Sequence, residues 1–288
     1  MFKKILISSD LSDASSALLT CATDWKSIGV EKAILTHVLY SPHPGGMNAT
    51  FVKETKTMDK QNHDIAKKVM PILEKQKAIL EEAGIEVDIE VVYGFPARAI
   101  NDLAEKHEVS AIVTGSHGKG ILKRATIGSV SSELIHLTRK PVFLVRSKLD
   151  KACEGVVPCR DLFNHVLYLT DFSEVAQKSL DYLEQIVKQS KCRVDILHIV
   201  SSVKESEKVL ADLETIRDRL LAAGAEMADF ECKEGKPENV AINHINEKNE
   251  FTLVVMGTQG KSFTEELLVG SLSLHLSRYS PIPVLLVQ

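Results

Sequence analysis

Aromatic residues are scarce in this chain of 288 residues, and basic residues do not exceed acidic ones. Aromatic side chains make up 5% of the sequence, and the formal net charge is −4. Binding to a phosphodiester backbone relies on clustered lysine and arginine, and binding to single strands also relies on rings that stack on bases. We therefore do not expect a nucleic-acid partner.

Long apolar runs and paired cysteines are also missing. The N-terminal lysines are followed by only three strongly apolar residues, Ile5 to Ile7, which are too few for a signal-peptide core. No apolar run approaches the length of a membrane span. The five cysteines form an odd, scattered set, which is typical of reduced thiols in the cytosol rather than of a disulfide framework. The sequence thus predicts a cytoplasmic protein with no membrane partner.

One glycine-rich motif occurs twice in the chain. GSHGKGILKRATIGS (115–129) and GTQGKSFTEELLVGS (257–271) share the spacing G-x2-G-x9-G-S, and matching residues lie 142 positions apart. The spacing between the first two glycines is too short for a Walker A loop, and no Rossmann G-x-G-x-x-G is present. The motif is therefore neither a P-loop nor a dinucleotide fingerprint.

The repeat extends over both halves of the chain, which are expected to bury separate cores. Asp10 matches Asp171 at an offset of 161, whereas Gly84 matches Gly224 at an offset of 140, so the second copy lacks about 21 residues after its second strand. In the first copy these residues follow SPHPGG (41–46) and form either a loop with a longer helix or a flap over a ligand site. We predict a first domain at 1–147, a linker at 148–164 and a second domain at 165–288.

Each copy alternates short β-branched runs with longer amphipathic stretches. This alternation is typical of an α/β domain, in which a parallel sheet is covered by helices on both faces. The predicted strands lie near 3–8, 33–39, 86–93, 110–114 and 141–146, and near 165–170, 193–200, 226–233, 251–256 and 283–288. The predicted helices lie near 13–27, 59–83, 97–107 and 129–139, and near 174–190, 204–223, 238–249 and 271–279.

Both glycine motifs begin where a predicted strand ends, since SAIVTG and TLVVMG run into the first glycine. Each motif ends in Gly-Ser at the start of a predicted helix. Glycine allows a ligand to approach the backbone closely, and the N–H groups at a helix start favour an anion. Because open parallel sheets bind ligands at the carboxyl ends of their strands, the motif predicts a phosphate-binding loop.

Asp10 and Asp171 end the first predicted strand of each copy. There a carboxylate can accept a hydrogen bond from a ribose hydroxyl or an adenine amino group. In the alternative interpretation, each aspartate only caps the following helix together with Ser12 or Ser173. His37 and His198 are also repeated, and we interpret them as hydrogen-bonded core histidines rather than ligand contacts.

These motifs resemble the universal stress proteins in their tandem two-domain form. The resemblance covers nearly the whole chain and implies two doubly wound five-stranded sheets with strand order 3-2-1-4-5. Members with this signature bind ATP, usually with a divalent metal such as Mg²⁺, so the ligand is an adenine nucleotide, with ADP and AMP left open. The implied binding residues are Asp10, Val38, Gly115, His117, Gly118, Lys119, Gly128, Ser129 and Val130, and Asp171, Ile199, Gly257, Gly260, Gly270, Ser271 and Leu272.

The family also implies an arrangement for the two domains. Single-domain members pair through their last strand, so PVFLVR (141–146) and PVLLVQ (283–288) are expected to associate within the chain and form a pseudo-dimer. Further association into a homodimer is left open. The lysine and arginine at 123 and 124 become glutamates at 265 and 266, which predicts tighter nucleotide binding in the first domain.

The sequence assigns no catalytic residue and no metal ligand. We expect a cytoplasmic stress-response protein whose nucleotide occupancy controls its conformation or its association with an unidentified protein partner. Two alternatives remain: a Mg²⁺-dependent ATP hydrolase, and a scaffold without nucleotide. Hydrolysis would need a group that positions water at the γ-phosphate, whereas the sequence supplies only a phosphate-binding backbone and one lysine in each loop.

Overall fold

The computed structural model describes residues 2–40, 50–51, 60–115, 127–146, 148–150, 155–157, 161–200, 207–260 and 269–288. They form two compact units, an N-terminal one that begins at Phe2 and a C-terminal one at Asp161–Gln288. Within the described residues, no helix has both the length and the apolar character needed to cross a bilayer.

The N-terminal unit is an α/β domain. Its parallel strands pair in the order β4-β2-β1-β5-β6, and the short β3 adds an antiparallel edge beside β4. A small hairpin, β7 with β8, follows in the segment predicted as a linker. The elements are β1 (Lys4–Ser8), α1 (Asp13–Leu19), α2 (Ala22–Ser27), β2 (Lys32–Tyr40), β3 (Thr50–Phe51), α3 (Lys60–Glu82), β4 (Glu86–Gly94), α4 (Pro96–Lys106), β5 (Ala111–Gly115), α5 (Ser129–Leu137), β6 (Val142–Val145), β7 (Lys148–Asp150) and β8 (Gly155–Val157).

The C-terminal unit repeats the same plan. Its five described strands are all parallel and pair in the order β11-β10-β9-β12-β13, which is again 3-2-1-4-5 when counted along the unit. The predicted strand order is therefore confirmed within each unit. The elements are β9 (His165–Thr170), α6 (Glu174–Ser190), β10 (Arg193–Val200), α7 (Glu207–Ala223), β11 (Met227–Glu234), α8 (Pro237–Lys248), β12 (Leu253–Gly257), α9 (Ser271–Tyr279) and β13 (Val284–Val287).

The core of each unit lies between the sheet and its helices. In the N-terminal unit, the buried rings of Trp25 and Phe143 meet edge to face, with 4.8 Å between their centroids. In the C-terminal unit every residue of β9 is buried, and the Tyr168 hydroxyl donates to the Ala176 carbonyl at 2.7 Å. Strands that are covered on both faces bury nearly every side chain, which explains the continuous apolar runs in the sequence.

Helix starts are set by residues with clear local roles. Ser173 caps α6, since its hydroxyl accepts from the Ala176 N–H at 3.2 Å. Pro96 and Pro237 begin α4 and α8, where the lack of an N–H costs nothing. Both prolines follow the third long strand of their unit, so they bring the starts of α4 and α8 to the carboxyl edge of the sheet.

Two expectations for the first unit are wrong. The single helix predicted at 13–27 is divided into α1 and α2, and Cys21 lies at the boundary as the N-cap residue of α2. Cys21 is fully buried and disulfide-bonded, so the expectation of reduced thiols fails there, whereas Cys192 and Cys232 are free. The association of the two units through their last strands stays a prediction.

Candidate functional site

In the N-terminal unit, a cleft of about 270 Å³ lies at the carboxyl ends of β1, β2 and β5, next to the start of α5. The strand order reverses here, because β2 lies on one side of β1 and β5 on the other. Open sheets bind ligands at such a switch point. The cleft brings together all the predicted site residues of this unit that the structure describes: Asp10, Val38, Gly115, Gly128, Ser129 and Val130.

The C-terminal unit has a larger cleft, of about 880 Å³, at the corresponding edge. It brings together all seven predicted site residues of the second copy: Asp171, Ile199, Gly257, Gly260, Gly270, Ser271 and Leu272. His117, Gly118 and Lys119 lie outside the described residues, as do the charged positions 123, 124, 265 and 266. The role of every residue in binding a ligand stays a prediction.

The repeated aspartates make the capping contacts that the sequence allowed, and their contact with a ligand stays a prediction. Asp10 Oδ1 accepts from the Ser12 N–H at 3.0 Å, and Asp171 Oδ1 accepts from the Ser173 N–H at 3.0 Å. These are the contacts of a turn that leads into a helix. Both aspartates also line their clefts, so capping does not remove them from the candidate site.

The glycines of the second loop leave little room for a side chain, least at Gly257 and Gly260. A Cβ on Gly260 would lie 2.7 Å from Asp171 Oδ2, and one on Gly257 would lie 2.9 Å from a Val175 methyl group and 3.0 Å from backbone. A Cβ on Gly270 would meet the Thr258 carbonyl at 3.2 Å. The loop backbone therefore approaches the end of β9 closely, which leaves the cleft side to backbone N–H groups and a helix start.

One further serine in each unit bonds the strand before the loop to the helix after it, and neither serine was among the predicted site residues. Ser131 Oγ donates to the Gly115 carbonyl at 2.6 Å, and Ser273 Oγ donates to the Gly257 carbonyl at 3.1 Å. These bonds tie the end of a strand to the helix that follows the loop. The same offset of 142 relates the two serines, so the repeat contained the signal.

A residue with a left-handed backbone follows each aspartate. Leu11 has φ of 63° and Phe172 has φ of 60°, although neither residue is glycine. Such a conformation is costly for a bulky side chain and tends to persist where a functional site requires it. Periodicity cannot reveal a backbone angle, so this shared feature of the two clefts was not predictable.

The repeated histidines are hydrogen-bonded, as predicted. His37 Nδ1 lies 2.7 Å from the Ser9 carbonyl, and His198 Nδ1 lies 2.8 Å from the Thr170 carbonyl. A carbonyl only accepts, so Nδ1 donates in both and Nε2 of the neutral ring is an acceptor. Both rings also border their clefts. Phe172 packs against His198 with 4.6 Å between the ring centroids.

One group among the described residues has metal-ligand geometry: Asp195, Glu231 and His244, whose ligand atoms lie within 4.8 Å of one another. Lys248 already bridges the two carboxylates, with Nζ 2.6 Å from Asp195 and 2.7 Å from Glu231. A cation is therefore present between the acids, and we interpret the group as an ion-pair network. None of the three lines the second cleft.

Comparison with known proteins gives consistent results for both halves. A model of the Universal stress protein family matches residues 1–146 and 162–288. Universal stress protein MJ0577 of Methanocaldococcus jannaschii is 31% identical over 160 residues, covering 51% of this chain and 97% of that protein. Universal stress protein Slr1230 of Synechocystis is 29% identical over 235 residues, covering 80% of this chain and 74% of that protein. The crystal structure of a universal stress protein from Archaeoglobus fulgidus is similar with a TM-score of 0.77 and 25% identity, covering 100% of this chain and 99% of that one.

Proposed function

The chain belongs to the universal stress protein family, and on this premise we propose that it binds an adenine nucleotide, foremost ATP, in each of its two clefts. Asp10 and Asp171 would contact the adenosine end, and Val38 and Ile199 would lie beside adenine. The glycine loops and the serines at 129 and 271 would hold ribose and phosphates. Occupancy would regulate the conformation or the partners of the protein.

The observation that carries this proposal is the packing of the second loop. Gly260 and Gly257 leave no room for a Cβ, and the loop ends at Gly270, immediately before α9. A loop held this closely to the strand ends presents backbone N–H groups and a helix dipole to the cleft, and these groups stabilise phosphate. The first unit has the same sequence spacing and the same switch point.

Mg²⁺ fits the chemistry of this site. It takes oxygen ligands, and substrate phosphates usually supply some of them. The exposed hydroxyls of Ser129 and Ser271 supply oxygen atoms next to the proposed phosphate position. When bound, Mg²⁺ would offset phosphate charge, while the residues of the chain would bind and orient the nucleotide.

Reversible binding of the nucleotide, rather than its hydrolysis, is the function that the described residues support. Hydrolysis needs a side chain that positions water in line with the γ-phosphate. The repeated aspartates and histidines of the clefts instead bond to the protein itself: the aspartates to turn N–H groups and the histidines to strand carbonyls. Their geometry is suited to holding a ligand.

The proposal can be tested by measuring the nucleotide content of the purified full-length chain. We expect about one or two adenine nucleotides per chain after denaturation, or micromolar ATP binding by calorimetry with Mg²⁺. The control is a double variant, Gly128→Glu with Gly270→Glu, which places a carboxylate and a bulky side chain at both helix starts. Absence of released nucleotide together with absence of ATP binding by the wild-type chain would sink the proposal and favour a scaffold.

A further inference from the structure

The floors of the two clefts differ in polarity along one row of side chains, which crosses three neighbouring strands. In the first cleft the row consists of hydroxyl residues: Thr114 on β5, Ser8 on β1 and Thr36 on β2. In the second cleft the residues at the matching positions are apolar and lie in register with one another: Met256, Leu169 and Leu197. The same place in the fold therefore carries hydrogen-bonding groups in one cleft and hydrocarbon in the other.

The hydroxyls of the first row already donate their protons to the protein. Ser131 Oγ donates to the carbonyl that ends β5, so Thr114 must be the donor in its contact with Ser131 Oγ at 3.4 Å. Ser8 donates to Thr114 Oγ1 at 2.9 Å, and Thr36 Oγ1 donates to the Glu90 carbonyl at 2.8 Å. The row therefore offers only acceptor lone pairs to the first cleft. An apolar group placed against it would remove water from these acceptors without replacing the hydrogen bonds.

The second cleft also has an apolar wall on the side of β10. Its volume is about 880 Å³, against about 270 Å³ for the first cleft. Val200 at the end of β10 and Val209 on α7 both line it. Val209 is half-buried there, whereas Val69, its match on α3, is buried. The larger cleft thus continues its apolar floor onto a neighbouring helix.

Two charged side chains of α7, Lys208 and Asp212, line the same wall. They have opposite charges, so together they add no net charge to the cleft. Lys208 is exposed and Asp212 is half-buried. Ligand clefts are usually lined mainly by apolar groups, with a few polar groups that orient the ligand. The two side chains can bind water or polar ligand atoms while the floor stays apolar.

The extra wall lies at the base end of the proposed nucleotide site. β10 and β12 pair with opposite edges of β9. The glycine loop follows β12 and is the proposed phosphate site, whereas Ile199, proposed to lie beside adenine, is on β10. Because α7 is the helix that follows β10, Val209 adjoins the base rather than the phosphates.

We propose that the second cleft binds adenine nucleotides that carry an apolar substituent on the base, and that the first cleft excludes them. The substituent packs against Leu197, Val200 and Val209, while the glycine loop holds the phosphates as it holds those of ATP. In the first cleft the same substituent meets the acceptors of Ser8 and Thr36 in a smaller space. This inference rests on the proposed function, because it takes the positions of adenine and phosphate from it.

The experiment compares ATP with N6-benzyl-ATP, which adds one apolar ring to the base and keeps the triphosphate. Both ligands are titrated by calorimetry with Mg²⁺ into two full-length variants. Gly128→Glu blocks the first cleft, and Gly270→Glu blocks the second. The first variant therefore reports on the second cleft, and the second variant on the first cleft.

Two further substitutions, made in the Gly128→Glu protein, test the floor and the wall. Leu197→Thr restores the hydroxyl of the first unit, and the Glu231 carbonyl can accept from it, because Glu231 lies in register with residue 197 as Glu90 does with Thr36. Val209→Asn makes the wall on α7 polar. Its matched control is Leu210→Asn, on the same helix, at a residue that is 51% exposed and is not among the residues that line the cleft.

We expect the second cleft to bind N6-benzyl-ATP about tenfold more tightly than ATP, as the burial of one aromatic ring predicts. The first cleft should bind it at least about tenfold more weakly than ATP, because its acceptors lose water. Leu197→Thr and Val209→Asn should each weaken N6-benzyl-ATP binding by about three- to tenfold and change ATP binding by less than about twofold. Leu210→Asn should leave both affinities unchanged.

Three results would overturn the inference. One is equal affinity of the second cleft for the two ligands, and another is a preference of the first cleft for N6-benzyl-ATP. The third is an equal loss of both ligands in Leu197→Thr and Val209→Asn, which would indicate a general change of the cleft rather than a lost apolar contact. If the wild-type chain binds neither ligand, the proposed function itself fails, whereas ATP binding without this preference refutes only the present inference. Thermal unfolding of each variant checks that the fold is intact.

Discussion

The two units share the backbone of a site and differ in the charges around it. Each has a cleft at a strand switch point and a residue with a left-handed backbone after an aspartate. In each, a serine on the helix after the loop also donates to the carbonyl at the end of the preceding strand. The polar surroundings diverge, since Ala97 in one unit corresponds to Glu238 in the other. A repeated fold can therefore keep the backbone geometry of a cleft while the charges around it change separately.

The same divergence occurs inside the units. In the second unit, Lys248 on α8 bridges Asp195 on β10 and Glu231 on β11, and His165 Nε2 lies 2.9 Å from Asp195 Oδ1. His244 accepts from Lys233 at 2.8 Å. The positions of the first unit that match Asp195, Lys233 and His244 are buried and apolar: Ile34, Val92 and Leu103. The positions that match Glu231 and Lys248 keep a polar pair, since His107 Nε2 lies 3.4 Å from Glu90 Oε1. The second unit thus has a larger charged network in a region that is mostly apolar in the first.

The largest effect should come from blocking one cleft at a time. We expect Gly128→Glu to remove the tighter ATP site and Gly270→Glu the weaker one, because the sequence has lysine and arginine at 123 and 124 but glutamates at the matching positions 265 and 266. Gly128 is the N-cap residue of α5 with φ of −60° and ψ of 145°, a conformation open to any residue, so the fold should tolerate glutamate. Calorimetry with ATP measures the residual site in each variant. A greater loss of ATP binding from Gly270→Glu would reverse the ranking of the two clefts.

The next effect concerns the ion-pair network. Replacing Lys248 with methionine removes the cation that bridges Asp195 and Glu231 and leaves Glu231 with the more distant Lys233 at 3.5 Å, so we expect the free energy of unfolding to fall by about 1–2 kcal/mol. This loss of stability lies between the losses expected for buried and for exposed ion pairs, because more than a third of the Lys248 side chain is exposed. Urea unfolding measures it.

The control for this change is Lys188→Met. Lys188 is also a lysine in the last turn of a helix, α6, so the variant reproduces the loss of a favourable interaction with the helix dipole. Lys188 is exposed. Equal destabilisation by the two methionine variants would show that the network contributes nothing beyond the dipole.

A smaller effect is the response of the second unit to acid. Burial, and then the Lys233 ammonium, lower the pKa of His244. Burial opposes the ionisation of Asp195 and Glu231, but hydrogen bonds, chiefly from Lys248, outweigh it and lower the pKa of both carboxyls. In all three cases the unfolded chain binds protons at a higher pH than the folded chain does.

Stability must therefore fall as the pH drops below about 6.5, where unfolded histidine becomes charged, and fall further near pH 4, where unfolded carboxyls become protonated. We expect a loss of about 1 kcal/mol between pH 7 and pH 5. His244→Leu, which restores the residue of the first unit, should reduce this loss. Urea unfolding at both pH values measures it, and an unchanged pH dependence in His244→Leu would exclude His244 as its origin.

The strands and the position of the clefts were predictable because their signals are local or repeated, whereas the strand order was implied by the family resemblance. β-branched runs mark the strands, and glycine spacing marks the loops. The ion-pair network was not predictable, since Asp195, Glu231 and Lys248 meet only once the β10–β11 register and the face covered by α8 are set. The division of the predicted helix at Cys21 depends on packing rather than on periodicity.

The smallest effect concerns Thr258, directly after β12. Its hydroxyl is fully buried and has no hydrogen-bond partner in the part of the chain that the structure describes, although its backbone N–H donates to the Val287 carbonyl at 2.7 Å. A buried hydroxyl without a partner keeps its desolvation cost, so Thr258→Val should raise the free energy of unfolding by about 0.5–1 kcal/mol in ligand-free protein. If nucleotide binding instead gives this hydroxyl a partner, the same variant should weaken ATP binding at the second cleft. Measuring unfolding and ATP titration on one variant separates the two cases, and a loss of stability without ligand would contradict the unpaired state of Thr258.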